Sequence, residues 1–134
     1  MLPPERFSQL PLFRGLSESS IRLLSQHGSE RFYRDGETLF RAGDSPPGIF
    51  VVLDGCVRVV RGQDTRYVVV HTERSGGTLA EIPLFSGGVL PGTAIAAEPT
   101  SCAIFPRDAI RASIEASPDL AFALLERLAL RVRE

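Results

Sequence analysis

The hydrophobic positions along this chain change period twice, and each change marks a predicted boundary between helices and strands. Ile21 and Leu24 lie at helical spacing in a segment that begins with Ser17 as a suitable N-cap and ends at Gly28. Apolar residues then alternate with polar ones, and helical spacing returns after about residue 105. The pattern therefore predicts helices at both ends of the chain and strands between them.

The central segment predicts many short strands separated by turns. Turn residues stand at Asp35-Gly36 and Gly43-Asp44, Asp54-Gly55 predicts a two-residue hairpin, and Gly62-Gln63-Asp64 predicts a further turn. Short strands at regular spacing, with no helix between successive pairs, favour a barrel or a sandwich over a βαβ fold.

The stretch from Gly76 to Ala97 predicts a strand, a tight turn, a short helix beginning near Glu81, a loop and a second strand. Glycines permit close backbone approach to a bound group, and the N–H groups of a helix start suit an anion. The site would be lined by small residues, Ala80, Gly92, Thr93 and Ala94. The stretch is thus a candidate ligand site, and the alternative is a glycine-rich connection between two strands.

The carboxyl-terminal segment predicts two helices. Pro106 suits a helix start, and Ser117-Pro118 would end that first helix. The second helix carries an apolar stripe of Leu120, Leu124 and Leu128, which would pack in the core or against a second copy of the chain. No stop signal precedes Glu134, so we expect this domain to belong to a longer protein.

Composition narrows the class of protein. The chain has 134 residues, of which 43% are hydrophobic and 23% charged, as in a single globular domain. A net charge of −1 argues against this segment gripping nucleic acid by itself, because binding to the phosphate backbone needs clustered cations. The chain shows neither a membrane-span pattern nor a signal-peptide pattern, so a cytoplasmic protein is expected.

Few residues suggest catalytic or metal chemistry. Cys56 and Cys102 lie in apolar runs and are expected to be buried thiols, too few to hold an iron–sulfur cluster. His27 and His71 are expected to be surface or satisfied residues, since two distant histidines do not make a metal site, although one axial ligand to a haem stays open. Signatures of nucleophilic serine, Walker loops and paired catalytic carboxylates are absent from the sequence, so we expect no enzyme activity.

The strand region contains one long ordered pattern of glycines and apolar residues, Gly36, Leu39-Phe40, Gly43-Asp44, Phe50, Val52, Gly55, Val57 and Val59. In this pattern the chain resembles, over its whole length, the cyclic-nucleotide-binding domain family. The resemblance implies a mainly β fold with flanking helices (α+β), a jelly-roll type β-roll, or double-stranded β-helix, at residues 29–105. Residues 1–28 would form the amino-terminal helices and residues 106–134 the carboxyl-terminal ones, including a dimerisation helix.

The phosphate-binding cassette of that family reads roughly Gly-Glu-Leu-x-Leu and then Arg-Ser/Thr-Ala. Here the matching residues are Ala80-Glu81-Ile82-Pro83-Leu84 and Pro91-Gly92-Thr93-Ala94. The resemblance implies that Glu81 accepts a hydrogen bond from a ribose 2′-hydroxyl, while Ala80, Ile82, Gly92, Thr93 and Ala94 line the phosphate position. The arginine does not match, because Pro91 or Gly92 takes its place depending on one gap. Its charge-assisted contact is worth about 1.5–3 kcal/mol, so weaker binding of cyclic AMP or cyclic GMP is expected.

The resemblance also implies a function. The chain would be the sensory domain of a Crp/Fnr-type transcription regulator, which binds a small effector, signals through its last helix and forms a homodimer through Leu120, Leu124 and Leu128. DNA would be bound only by a helix-turn-helix domain outside this chain. The alternatives are a ligand-free dimerisation module and a regulatory domain of a channel, kinase or other enzyme. The effector, the operator and the direction of regulation stay open.

Overall fold

The computed structural model describes residues 1–63 and 66–133. In the described part, a 3₁₀ turn at Pro4–Arg6 precedes four α-helices and eight strands. The helices are α1 (Glu18–His27), α2 (Glu81–Ser86), α3 (Arg107–Ala116) and α4 (Asp119–Arg133). The strands are β1 (Ser29–Tyr33), β2 (Thr38–Phe40), β3 (Ile49–Asp54), β4 (Cys56–Gln63), β5 (Arg66–Arg74), β6 (Thr78–Leu79), β7 (Thr93–Ala96) and β8 (Thr100–Phe105).

The chain forms two compact units. Residues 30–104 form the β-roll, and residues 1–29 together with 105–134 form a helical unit. The two units are described separately below.

The β-roll consists of two four-stranded sheets with strand orders β1-β8-β3-β6 and β2-β7-β4-β5. The resolved pairings of β2 with β7, β3 with β6, and β4 with both β5 and β7 are all antiparallel. One apolar cluster fills the roll, and it includes Tyr33, Phe40, Phe50, Val52, Val57, Leu79, Ala80, Leu90, Ala94, Ala96, Cys102 and Ile104. The predicted fold class, a mainly β jelly-roll type β-roll with flanking helices, is confirmed.

The hairpin predicted at Asp54-Gly55 is wrong, because β3 and β4 belong to different sheets. Gly55 has φ 108°, and a Cβ there would collide with the Thr100 hydroxyl and lie 2.7 Å from the Pro99 carbonyl oxygen. Glycine is therefore required at this position, where the chain turns from one sheet to the other and leaves no space for a side chain.

The hairpin of this region is β4–β5, whose strands pair from Cys56↔Arg74 to Gln63↔Arg66. Of the predicted turn at Gly62-Gln63-Asp64, the first two residues continue β4 and Asp64 lies outside the described residues. The register shifts by one residue between Val59 and Val60, which places a β-bulge in this ribbon.

The helical unit is held by capping, by ring contacts and by buried hydroxyls. Ser17 caps α1 as predicted, accepting a hydrogen bond from the backbone N–H of Ser20 at 3.1 Å. The Ser20 hydroxyl donates to the carbonyl oxygen of Ser113 at 2.6 Å, which ties α1 to α3. Phe7 and Phe13 lie with ring centroids 5.2 Å apart in an edge-to-face arrangement.

Helix α4 buries part of the predicted stripe within the chain. Leu120 is 0% exposed and Leu124 is 3% exposed, while Leu128 is half-buried. The exposed apolar residues of the same helix are Phe122, Leu125 and Leu130. The predicted dimer contact stays a prediction, and these exposed residues form the apolar surface that α4 offers to a partner.

None of the helices in the described ranges is long and apolar enough to cross a membrane.

Candidate functional site

The candidate site is formed by the connection β6–α2–β7, the order of elements predicted for residues 76–97. Helix α2 has six residues and begins at Glu81. Ala80, immediately before it, has φ 71° and ψ 10°. Among the described residues it is the one non-glycine with a positive φ. This left-handed residue allows the chain to leave β6 and enter α2 without an intervening loop.

Glu81 is completely buried, with 0% of its surface exposed. A buried carboxylate is stable only where hydrogen-bond donors surround it, whether from the protein or from a ligand. Because α2 is so short, its dipole contributes little, and burial next to the apolar cluster defines the surroundings of this side chain.

The segment before and within β7 is fixed from two sides. On one side, the N–H of Gly43 donates to the Leu90 carbonyl and the N–H of Leu90 donates to the Asp44 carbonyl, both at 2.8 Å. The Thr93 hydroxyl also accepts a hydrogen bond from the Ala42 N–H at 3.0 Å. On the other side, β4 pairs with β7 along its length. The backbone of this segment is therefore held in one position before any ligand binds.

Gly92 is buried at the start of this strand and is tightly covered. A Cβ at this position would lie 2.7 Å from Val59 Cγ1 and 3.1 Å from the Val60 carbonyl oxygen. A side chain of any size is thus excluded, whereas Pro91 beside it is exposed. Residues 75–106 carry no lysine, arginine or histidine, so this segment supplies no cation of its own.

The two ends of the β6–α2–β7 connection both contribute residues to the apolar core of the roll. Ala80, Leu90 and Ala94 all belong to the apolar core of the roll. The methyl groups of Ala80 and Ala94 therefore serve mainly as packing. Thr93 is half-buried, and its hydroxyl oxygen accepts the hydrogen bond from the Ala42 N–H. Ile82 lies in α2, and its side chain is outside the described part of the structure.

Two residues of β5 that the sequence interpretation did not join lie in contact on the same ribbon. The Nε2 atom of His71 lies 2.8 Å from the Oε1 atom of Glu73, and both side chains are largely buried. They stand opposite Val59 and Val57 of β4, whose side chains contact the roll interior. Residues two positions apart in a strand lie on the same face of the sheet, so the spacing of His71 and Glu73 was a signal in the sequence that they could be in contact. That signal could be used only once the strand and its inner face were known.

The two cysteines are buried free thiols, as expected from their apolar neighbours. Burial raises the pKa of the Cys102 thiol from 9.0 to about 12. Cys102 therefore behaves as an apolar residue of the core rather than as a reactive nucleophile.

The domain is thus a β-roll that holds a short helix between two strands, with a buried carboxylate at the helix start. The model of the family described as "Cyclic nucleotide-binding domain" matches residues 30–117. The chain belongs to that family.

Its relatives include the "CRP-like cAMP-activated global transcriptional regulator" of Mycobacterium tuberculosis, which is 24% identical over 130 residues, 96% of this chain and 58% of that protein. The "Cyclic AMP receptor protein" of Thermus thermophilus is 30% identical over 128 residues, which are 92% of this chain and 58% of that protein. The crystal structure of the Thermus thermophilus Catabolite Activator Protein has a TM-score of 0.79 and 28% identity, covering 92% of this chain and 58% of that one. The chain thus spans somewhat more than half the length of these regulators.

An enzyme also contains a matching segment. The "Lysophospholipase nte1" of Aspergillus oryzae is 27% identical over 100 residues, which are 74% of this chain but 6% of that protein. The likeness is confined to a small part of the enzyme.

Proposed function

We propose that this chain is the effector-binding regulatory domain of a Crp/Fnr-type transcription regulator. The effector is a cyclic nucleotide or another small molecule held by the β6–α2–β7 connection. Binding favours one arrangement of α4, and a DNA-binding domain outside this chain responds to that arrangement.

The observation that carries the proposal is the buried carboxylate of Glu81 at the start of α2, inside a domain of the cyclic nucleotide-binding family. A ligand hydroxyl would add a donor to this carboxylate, a strong type of hydrogen bond because the acceptor is charged. The backbone around Gly92, fixed on both sides, would present its polar groups to the rest of the ligand.

Transmission to α4 follows the chain. Strand β8 ends at Phe105, and α3 starts two residues later at Arg107, so that a shift of the strand end acts directly on the helix start. Helix α3 in turn is connected to α4 by only two residues. The proposed signal is a change in the populations of two helix arrangements, driven by the difference in their affinity for the effector.

Calorimetric titration with cyclic AMP and cyclic GMP tests this function. We expect binding to the unmodified protein and a loss of about tenfold or more in Glu81→Gln, because the substitution removes the charged acceptor while keeping its size. Glu98→Gln, which changes an exposed glutamate between β7 and β8, is the matched control and should bind as the unmodified protein does. Circular dichroism establishes that each variant is folded. Absence of binding to both nucleotides would refute a cyclic-nucleotide effector, and equal binding by Glu81→Gln would refute the role of Glu81.

We also propose that the regulator is a homodimer in which α4 of each copy contacts its counterpart. The exposed Phe122, Leu125 and Leu130 support this proposal, because large apolar side chains on one helix face are favoured at contacts between subunits.

A second candidate function is regulation of an enzyme by the same kind of domain. The match to a short segment of the fungal lysophospholipase favours it, since such domains also occur inside larger catalytic proteins. The same titration applies to both candidates, and the sequence that accompanies this domain in its parent protein distinguishes them.

A further inference from the structure

Arg61 of β4 lies beside Gly92. The pairing of β4 with β7 runs Val59↔Ala94 and Val60↔Thr93, and Arg61 and Gly92 are the next residues along the two segments. A Cβ on Gly92 would lie 3.7 Å from the Arg61 Cγ atom and 2.7 Å from Val59 Cγ1. The side chains of Val59 and Arg61 therefore extend together over the bare backbone of Gly92.

The direction of Arg61 follows from the alternation of the strand. Val57 lies in the core cluster of the roll and Val59 packs against it, so that odd-numbered residues of this part of β4 face the interior. Arg61 continues that face, but it is exposed and thus lies where the interior opens to solvent. Arg58 belongs to the opposite face and is also exposed.

The site needs a cation that its own segment does not contain. A cyclic nucleotide carries one negative charge on its phosphate, and the connection that would hold it contributes the carboxylate of Glu81. Residues 75–106 contain no basic side chain that could balance them. Among the residues that the structure describes, no carboxylate forms an ion pair with Arg61.

We propose that Arg61 is the anion-binding residue of this site and that it contacts the ligand phosphate from β4, across Gly92. The proposal rests on the function proposed above and assigns the phosphate contact to a residue outside the β6–α2–β7 connection. The planar guanidinium can donate two parallel hydrogen bonds to phosphate oxygens, which an ammonium group cannot do in the same geometry. Gly92 has no side chain of its own to separate the Arg61 stem from the backbone at this position.

Titration of three variants with cyclic AMP and cyclic GMP tests the proposal. Arg61→Gln should weaken binding about ten- to a hundredfold, the range for loss of a hydrogen bond to a charged group. Arg61→Lys should show an intermediate loss, because it keeps the charge but not the forked donor. Arg58→Gln, on the same strand but the opposite face, removes the same charge and should change binding less than threefold or so, as expected for screened surface charge.

The outcomes separate the two proposals. Equal affinity of Arg61→Gln and the unmodified protein overturns the role of Arg61 and leaves the effector-binding function standing. An equal loss in Arg58→Gln and Arg61→Gln also overturns it, because a general field rather than a contact would then attract the ligand. If the unmodified protein binds neither nucleotide, the cyclic-nucleotide effector is refuted and the role of Arg61 as its phosphate contact is refuted with it. Arg61 is exposed, so its substitution should leave the thermal unfolding midpoint unchanged.

Discussion

At the scale of single residues, Ala80 carries the most unusual backbone of the candidate site. Its φ of 71° lies in the left-handed region, where an L-residue with a Cβ is less stable by about 1–2 kcal/mol. Glycine avoids that cost, but it also loses more chain entropy on folding and would remove a buried methyl group. This left-handed residue directly precedes Glu81, the first residue of α2.

We therefore expect Ala80→Gly to leave the free energy of unfolding unchanged or to raise it by up to about 1 kcal/mol. Ala96→Gly, at a buried strand position of the same cluster, should lower it by about 0.5–1 kcal/mol or more. Urea unfolding of both variants measures the difference. An equal loss of stability in the two would show that the positive φ of Ala80 carries no strain.

The Cys102 thiol gives a pH-dependent prediction. Its pKa is raised from 9.0 to about 12 by burial, so the folded state holds this proton more tightly than the unfolded state does. The resulting stability is fully present below pH 9 and is lost as the pH rises from about 9 toward 12.

Between pH 8 and pH 10, the unmodified protein should lose about 1 kcal/mol more unfolding free energy than Cys102→Ala does. Urea titrations of both proteins at the two pH values give this difference directly. Parallel losses in the two proteins would mean that Cys102 ionises as readily in the folded state as in the unfolded state.

At the scale of elements, the corner at Gly55 decides which strands pair. Gly36 also has a positive φ, but a Cβ added to it would have no neighbouring atom within 4 Å. A Cβ added to Gly55 would contact Pro99 and Thr100. The Thr100 hydroxyl completes the corner by donating to the Glu98 carbonyl at 2.8 Å.

Gly36→Ala should lower the free energy of unfolding by about 1 kcal/mol. Gly55→Ala should lower it by considerably more. The added crowding at Gly55 should contribute a further 1–3 kcal/mol or so, as overpacking does elsewhere. Thermal or urea unfolding of the pair provides the comparison, and similar losses at both sites would argue against a crowded corner.

The elements differ in how far they could be predicted from sequence. Helix α1, with Ser17 as its cap and Gly28 as its end, and α2, beginning at Glu81, follow from local signals and are confirmed. The error at Asp54-Gly55 arose because a tight-turn dipeptide specifies a local bend and not the sheet to which the next strand belongs. The position of Arg61 beside Gly92 likewise depends on the pairing of β4 with β7, two strands distant in sequence.

At the scale of the whole molecule, the exposed apolar residues of α4 are the reason to expect a dimer. Phe122 and Leu125 are 69% and 59% exposed, although Leu124 between them is buried. Substitution of the first two should therefore affect contacts between copies and leave the folded chain intact.

If α4 forms the dimer contact, Phe122→Glu combined with Leu125→Glu should shift the protein from dimer to monomer in analytical ultracentrifugation, by about a hundredfold or more in dissociation constant. Phe32→Glu is the matched control, because Phe32 is an exposed phenylalanine of β1 in the β-roll unit. A dimer that persists in the double variant, or that is lost equally in the control, would contradict a contact through α4.

The hydrogen bond between Ser20 and Ser113 joins residues that are 93 positions apart in the chain. During synthesis from the amino terminus, α1 leaves the ribosome long before α3 is made, and its buried residues, such as Leu24, then lack part of their native environment. The roll between them is one continuous segment whose contacts are available earlier. The helix made first, α1, is therefore among the last to reach its native contacts. These contacts form only when the loop between Ser20 and Ser113 closes.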